Sequence, residues 1–377
     1  MSNDLVVFGE DWGAHPSSTQ HIVSLLALDR QVLWINSIGL RRPRLQARDF
    51  SRIIAKLSAM SGFANQNISD QQSQQPESLD VIQPRAICWP GSSIAARFNG
   101  SVLCRQVRNA LDRSKIEKPV IWTSLPTAFD VVDKINGRAL VYYCGDDFSA
   151  LAGVDHEPVA LMEKKLAAQA DLIIAASDVL ASRFPAHKTL AVSHGVDYRL
   201  FSRPALRAHD LPVGRPIAGF DGAIADWVDV GMIARAAKSL PYWDFVLIGP
   251  VQTNISVLER LPNVRLLGPR AHSTLPSYSQ HWTISMLPFH DNAQIQACNP
   301  LKLREYLAAG KPIVATQFAA LAPYADLARI VTDRDSFAND LLEASKDFAR
   351  NDIRRLCVRE ESWDVRARDV AAALARL

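Results

Sequence analysis

The chain is predicted to be α/β, built from two Rossmann-like, doubly wound parallel-sheet domains, and three observations lead there. Short apolar runs without polar alternation recur along the whole length, as strands buried on both faces require. Helix-period stretches lie between these runs, the order that builds parallel sheets. Length is the third: 377 residues exceed what one hydrophobic core normally serves and suit two domains.

In the first half, strands are expected at 5–8, 32–35, 120–122, 140–144, 172–175 and 190–192, with helices such as 19–28 and 158–170 between them. The second half repeats the scheme with strands at 217–220, 245–248, 264–266, 284–287, 313–316 and 329–331. A polar stretch near 203–215, with Pro204 and Pro212, reads as the boundary. The expected domains are therefore 1–205 and 206–351, followed by a basic, Ala-rich helix over 352–377 that packs back on the first domain. Open α/β sheets take ligands at the carboxyl ends of their strands, so the two domains are expected to face a cleft.

One interval falls outside the scheme. Residues 65–76 are rich in Gln and Ser and predict a mobile loop. Just before it, Arg41, Arg42, Arg44, Arg48, Arg52 and Lys56 alternate with Leu45, Phe50, Ile53, Ile54 and Leu57. Two readings fit residues 41–57: a surface helix with its apolar stripe on the core, or a basic amphipathic helix lying on an anionic membrane.

Composition narrows the function. Apolar residues make up 48% and charged ones 21%, as in a soluble protein with filled cores. A net charge of +3, with no aromatic-plus-basic groove motif, argues against nucleic acid as a partner. Five scattered cysteines without a CxxC pair suggest reduced thiols. The first residues enter an apolar strand with no basic leader, and no run is long enough to cross a bilayer. A cytoplasmic location is expected, with peripheral attachment to the inner face of the cell membrane as an option.

The most informative segment is 299–314, Asn-Pro-Leu-Lys-Leu-Arg-Glu-Tyr-Leu-Ala-Ala-Gly-Lys-Pro-Ile-Val. Asn299 is expected as N-cap and Pro300 as the first helical residue, with Gly310 as a left-handed C-cap and Pro312 leading into a strand. A helix N-terminus offers free amides and the positive end of a dipole, which together suit a phosphate. Lys302 adds a full charge, and Glu305 lies one turn on, able to accept hydrogen bonds from vicinal sugar hydroxyls. The combination reads as a nucleotide-sugar site; an ordinary surface ion pair is the other reading.

This segment resembles the donor-site helix of GT-B glycosyltransferases of the glycosyltransferase 1/4 superfamily. Further stretches resemble the same superfamily: Tyr142-Tyr143-Cys144-Gly145-Asp146-Asp147-Phe148-Ser149, 170–177, His194-Gly195-Val196-Asp197, and 219–229 with Gly222, Ala223, Asp226 and Trp227. The last is similar to bacterial teichuronic-acid and exopolysaccharide transferases. A more distant similarity is to the inverting glucuronosyltransferase of xanthan synthesis.

The resemblance implies a metal-independent enzyme that needs no cofactor. It would move a sugar from a nucleotide diphosphate sugar, UDP- or GDP-linked, to a saccharide acceptor, a lipid-linked one in surface polysaccharide synthesis. It implies Lys302 on the donor diphosphate, Glu305 on the ribose, the backbone of Asn299, Pro300 and Leu301 beside the diphosphate, and Gly222 and Ala223 where backbone approaches the donor. Arg270 matches a loop bracketing the nucleobase, or is part of a plain turn; His194 contacts the donor or packs between domains. Asp146 is the candidate base of an inverting transfer, and Asp146-Asp147 lacks the DxD spacing of metal-dependent transferases.

Asp11, Trp12 and His15, in the loop after the first strand, are acceptor-side candidates. Two departures stand out: Asp226 and Trp227 occupy positions where an Arg and a Lys often hold phosphates, and Ala297 replaces the first glutamate of an E-x7-E pair. They leave the stereochemistry open, since a retaining transfer would not need Asp146 as a base, and they keep open a donor-binding protein without catalysis; a nucleotide-sugar epimerase, which can share the two-domain scheme, is the other alternative. A nicotinamide oxidoreductase is disfavoured, because the first strand-to-helix loop lacks GxGxxG.

Overall fold

Apolar runs become strands wherever both faces can be covered. The computed structural model describes residues 4–13, 17–40, 75–151 and 154–377. His15, the basic segment 41–57 and most of the Gln-rich stretch lie outside them. The chain forms two units, 1–193 together with 366–377, and 194–365.

The first unit carries, among the described residues, a seven-stranded parallel sheet. Its strands are β1 (Leu5–Phe8), β2 (Val32–Ile35), β3 (Leu79–Ile82), β4 (Val120–Thr123), β5 (Ala139–Cys144), β6 (Leu172–Ala175) and β7 (Thr189–Ala191). They are ordered β3-β2-β1-β4-β5-β6-β7, so the order reverses between β1 and β4, where Leu5 pairs with Val120. Trp34 and Trp122 are fully buried, and Trp122 stacks on Tyr143 at 5.6 Å. Gly9 is required beside Trp34, because a Cβ there would fall 2.4 Å from the indole. Ser17 and Ser92 cap the helices Ser18–Leu26 and Ser93–Ser114 by accepting from Gln20 N and Ala95 N.

The second unit repeats the design in a six-stranded parallel sheet. It is built from β8 (Ile217–Asp221), β9 (Asp244–Ile248), β10 (Val264–Gly268), β11 (Ile284–Leu287), β12 (Ile313–Thr316) and β13 (Arg329–Val331), ordered β10-β9-β8-β11-β12-β13. Its switch point lies between β8 and β11. The backbone of Gly219 packs on the Trp282 ring, where any side chain would clash. The stretch 203–215 belongs to this unit: Ala205 N donates to Gln280, Ala208 N donates to Ser277 O, and Asp210 pairs with Arg270.

Two expectations need correction. The edge strand β3 goes unforeseen, because only Leu79 of its four residues is buried and it lacks the doubly apolar signature. The C-terminal segment is not one helix. It breaks into Asn351–Cys357, a turn at Arg359–Glu361, and Trp363–Leu374. The break is held by Val196, whose N–H donates to Glu361 O and which pairs with Ser362 in a parallel bridge.

Candidate functional site

The helix Leu301–Ala309 is where sequence and structure converge. Gly310 ends it at φ 81°, its N–H donating to Tyr306 O and Leu307 O, as the left-handed cap requires. The start differs from expectation by one residue. Pro300, extended at φ −65° and ψ 126°, is the N-cap, and helical geometry begins at Leu301. Asn299 does not cap: its side-chain oxygen accepts from Arg304 Nη1 at 2.5 Å, which holds the approach to the helix rather than its first amides. Of those first amides, Leu303 N donates to Pro300 O at 3.2 Å, while those of Leu301 and Lys302 precede the intrahelical ladder.

Lys302 lies in the first turn, and its Nζ stands 2.7 Å from Glu305 Oε2 and 2.6 Å from Asp221 Oδ1. Asp221 is the last residue of β8, so the helix start and the switch-point strand meet at this ammonium. His272 Nε2 lies 2.9 Å from the other Glu305 oxygen, and its ring packs edge-on against Phe201. Asp221 N donates to Tyr306 Oη at 2.8 Å, fixing the strand end against the helix. Asp221, Glu305 and Lys302 side chains are nearly buried, at 2%, 7% and 14% exposure. Asp221 Oδ2 has no hydrogen-bond partner among the described residues.

The two carboxylates respond in opposite directions to this shared cation. Burial would raise Glu305, but the Lys302 charge and the His272 hydrogen bond outweigh it and hold the carboxyl below the usual range. At Asp221 burial wins, with help from the Glu305 charge, and pushes the carboxyl up despite Lys302. Asp221 is thus the acid that more readily accepts a proton. Lys302 itself is raised, since burial is outweighed by Asp221 and then Glu305.

Gly222 and Ala223 follow directly. Gly222 adopts φ 145°, and Gly249 (φ 144°) lies so close that a Cβ on it would stand 1.9 Å from Gly222 O. This leaves bare backbone at the carboxyl end of β8, where an open α/β sheet receives its ligand. Arg270 sits in the loop after β10, with its guanidinium on Asp210 (2.8 Å) and Tyr278 Oη (3.0 Å); His272, two residues later, is the side chain that reaches Glu305. His194 is half-buried at the start of the unit, next to Gly195, which packs on the Trp363 ring. Of the departures, Asp226 is exposed, while Trp227 O accepts from His290 N.

In the first unit, Asp146 follows β5 and remains accessible to solvent. Surrounding protein and then the Asp147 charge push its carboxyl above the usual range. Asp147 is occupied elsewhere, accepting from Ser149 N and Oγ and pairing with Arg183 at 2.6 Å. Arg183 also holds Glu163, which accepts from Tyr142 Oη at 2.7 Å, a buried network that no sequence motif announced. After β1, Glu10 accepts from Gln20 Nε2, and its carboxyl is raised chiefly by burial, with Asp11 and Asp146 adding to the effect. Asp11 accepts from Ser37 N at 3.0 Å, and Trp12 packs edge-on against Trp34 at 4.9 Å. Among the described residues no three His, Cys, Asp or Glu side chains gather as a metal-ligand set.

No protein-family model matches the chain. It is 32% identical over 223 residues to a Bacillus subtilis protein, TuaH, named for teichuronic acid biosynthesis as a glycosyltransferase. That match covers 53% of this chain and 56% of the relative, so it spans about half the length of each. Among solved structures, Anabaena Alr3699/HepE in complex with UDP-glucose superposes with a TM-score of 0.69 at 14% identity, covering 99% of this chain and 100% of that one. Sucrose-phosphate synthase from Thermosynechococcus elongatus gives 0.69 at 14% identity, covering 99% and 98%. The chain has the GT-B fold, and in sequence it resembles a teichuronic-acid glycosyltransferase over roughly half its length.

Proposed function

We propose that the protein is a glycosyltransferase that moves a sugar from a nucleotide diphosphate sugar to a saccharide acceptor. The observation that carries this reading is the convergence of Lys302, Glu305 and Asp221 where the Leu301–Ala309 helix meets the end of β8. A diphosphate arriving there meets the amides of the helix N-terminus, a dipole end and an ammonium. Lys302 exchanges a carboxylate for a phosphate oxygen, and Asp221, the acid more easily protonated, is the partner it releases. Glu305, held by His272, remains available to sugar hydroxyls.

We assign donor binding to the second unit and acceptor binding to the first. Asp146 takes the proton of the acceptor hydroxyl as its oxygen bonds to the anomeric carbon and the bond to the diphosphate breaks, inverting that centre. Its accessibility suits a carboxylate that must meet an acceptor hydroxyl. Lys302 and the helix amides receive the charge that develops on the leaving nucleotide, a role that needs no metal ion. The relative named for teichuronic acid synthesis favours a bacterial surface or exopolysaccharide, and with it a lipid-linked saccharide as acceptor. The UDP and UDP-glucose complexes of structural neighbours favour a UDP-linked donor.

The test is a thermal-shift screen of UDP- and GDP-sugars followed by transfer assays on extracted glycolipids. A stabilising donor that is consumed only when acceptor is present is the expected result. Conversion of donor alone would make the protein an epimerase, and donor affinity without transfer to any extract a binding protein. Asp146→Asn should retain donor stabilisation and lose turnover; full activity in that variant would remove Asp146 as the base.

A further inference from the structure

Within the Leu301–Ala309 helix, Arg304 is 4% exposed, among neighbours such as Leu303 and Leu307 that are wholly buried. A buried guanidinium is weak evidence for stability, because desolvation cancels most of what its ion pair returns. What it specifies is read from its bonds. Nε donates to Glu361 Oε2 at 2.7 Å, and Nη1 donates to Asn299 Oδ1 at 2.5 Å. The Tyr324 ring lies 5.8 Å from the guanidinium, and its hydroxyl donates to the other Glu361 oxygen. Arg304 thus holds two acceptors at once, one just before its own helix and one 57 positions further along the chain.

Asn299 is by type and position the natural cap of this helix. An Asn followed by Pro at the first helical position would set its side-chain oxygen on the amide of Leu301 or Lys302. Seven residues earlier the chain does this in the ordinary way: Asn292 caps Ala293–Ala297 by accepting from Ile295 N at 2.9 Å. At Leu301–Ala309 no side chain caps the helix, and the N-cap position belongs to Pro300. Cys298 and Pro300, on either side of Asn299, are extended with ψ of 147° and 126°. The oxygen that would cap is spent on Arg304. A cap oxygen and a phosphate oxygen seek the same amides, so a capped helix would have to shed its cap before receiving a diphosphate.

We infer that Arg304 is a positioning residue for the donor: it withdraws Asn299 from the helix N-terminus and keeps the amides of Leu301 and Lys302 open to a diphosphate. The inference rests on the glycosyltransferase reading for the identity of the ligand, and on the Arg304–Asn299 bond for the state of the helix. Lysine cannot replace it. An ammonium is a point charge that stays with the Glu361 carboxylate, whereas the guanidinium fork holds both acceptors.

The test compares the wild type, Arg304→Lys, and Arg304→Lys combined with Asn299→Ala, in two measurements on the full chain. Without nucleotide, hydrogen exchange at the amides of Leu301 and Lys302 should be fast in the wild type. It should slow by about fivefold in Arg304→Lys, the worth of one N-cap bond, and be fast again in the double variant. Calorimetry should show UDP binding weakened by about fivefold in Arg304→Lys and recovered in the double variant. Uridine, which carries no phosphate, should bind all three alike. Loss of binding that is reversed by removing a further side chain is a pattern that general damage to the fold does not produce. Equal exchange in the wild type and Arg304→Lys would overturn the proposal, as would a fall in UDP affinity that uridine shares or that Asn299→Ala fails to reverse. A wild type without affinity for UDP would strike the glycosyltransferase reading, and the nucleotide-free exchange would still decide the role of Arg304.

Discussion

Replacing Lys302 by Met probes the centre of the site at nearly constant shape. The substitution removes an ammonium 2.6 Å from Asp221 and 2.7 Å from Glu305, and leaves two buried carboxyls with His272 as the remaining partner. Removing one member of a buried ion pair costs about 3–5 kcal/mol. Asp221 limits that cost, because burial already favours its protonated form. For a unit of this size each kcal/mol moves the midpoint by about 2–4 °C, so a loss of about 6–20 °C is expected near neutral pH. The pH dependence has a definite sign. Glu305 in the wild type is held below its usual value of 4.5, so it contributes stability above that pH and loses it as pH falls toward the folded-state value. The gap between wild type and Lys302→Met should therefore be widest at neutral pH and narrow below about pH 4.5. Differential scanning fluorimetry across pH, with and without UDP, measures both effects. A midpoint change under about 3 °C at neutral pH, or a gap that does not narrow in acid, would refute the buried-cluster argument.

Other consequences are equally direct. Asp221→Asn should raise the midpoint at neutral pH, because the raised carboxyl penalises the fold as pH climbs through its folded value, and the gain should vanish in acid where the wild type is protonated. If Lys302 releases Asp221 to a diphosphate, UDP affinity of the wild type should rise as pH falls, and calorimetry of Asp221→Asn should give a flatter dependence. Gly249→Ala should destabilise the second unit by about 1–3 kcal/mol or more from backbone strain alone, and weaken UDP binding by displacing Gly222; an unchanged midpoint would disprove the close approach. Cys144 is buried and 3.8 Å from Glu163, both of which push its thiol up, so native protein should resist thiol reagents there at pH values where the unfolded chain reacts at once.

Most of the fold was legible because its strands are covered on both faces, which forces continuous apolar runs such as Val32–Ile35 and Ile284–Leu287. β3 was not, because an edge strand needs only one buried residue. The end of the Leu301–Ala309 helix was legible in Gly310 and Pro312, which act locally. Its beginning was less so, since the role of Asn299 depends on Arg304, a residue that also reaches Glu361 across a long stretch of chain. Lys302 and Glu305 could be paired from their spacing alone. Asp221 and His272 could not, for they reach the cluster only once sheet order brings β8 and the loop after β10 beside the helix. The available signal was an aspartate closing an apolar strand at the first position of the second sheet, where a doubly wound topology reverses.

The bridge between Val196 and Ser362 has a practical consequence. The second unit is an insertion within the first, and its point of departure and point of return are fastened side by side. Residues 194–365 therefore form a stretch whose two ends already meet, suited to excision as an independent protein or to closure into a ring. Such a fragment would test the proposed nucleotide recognition apart from everything contributed by the flanking sequence.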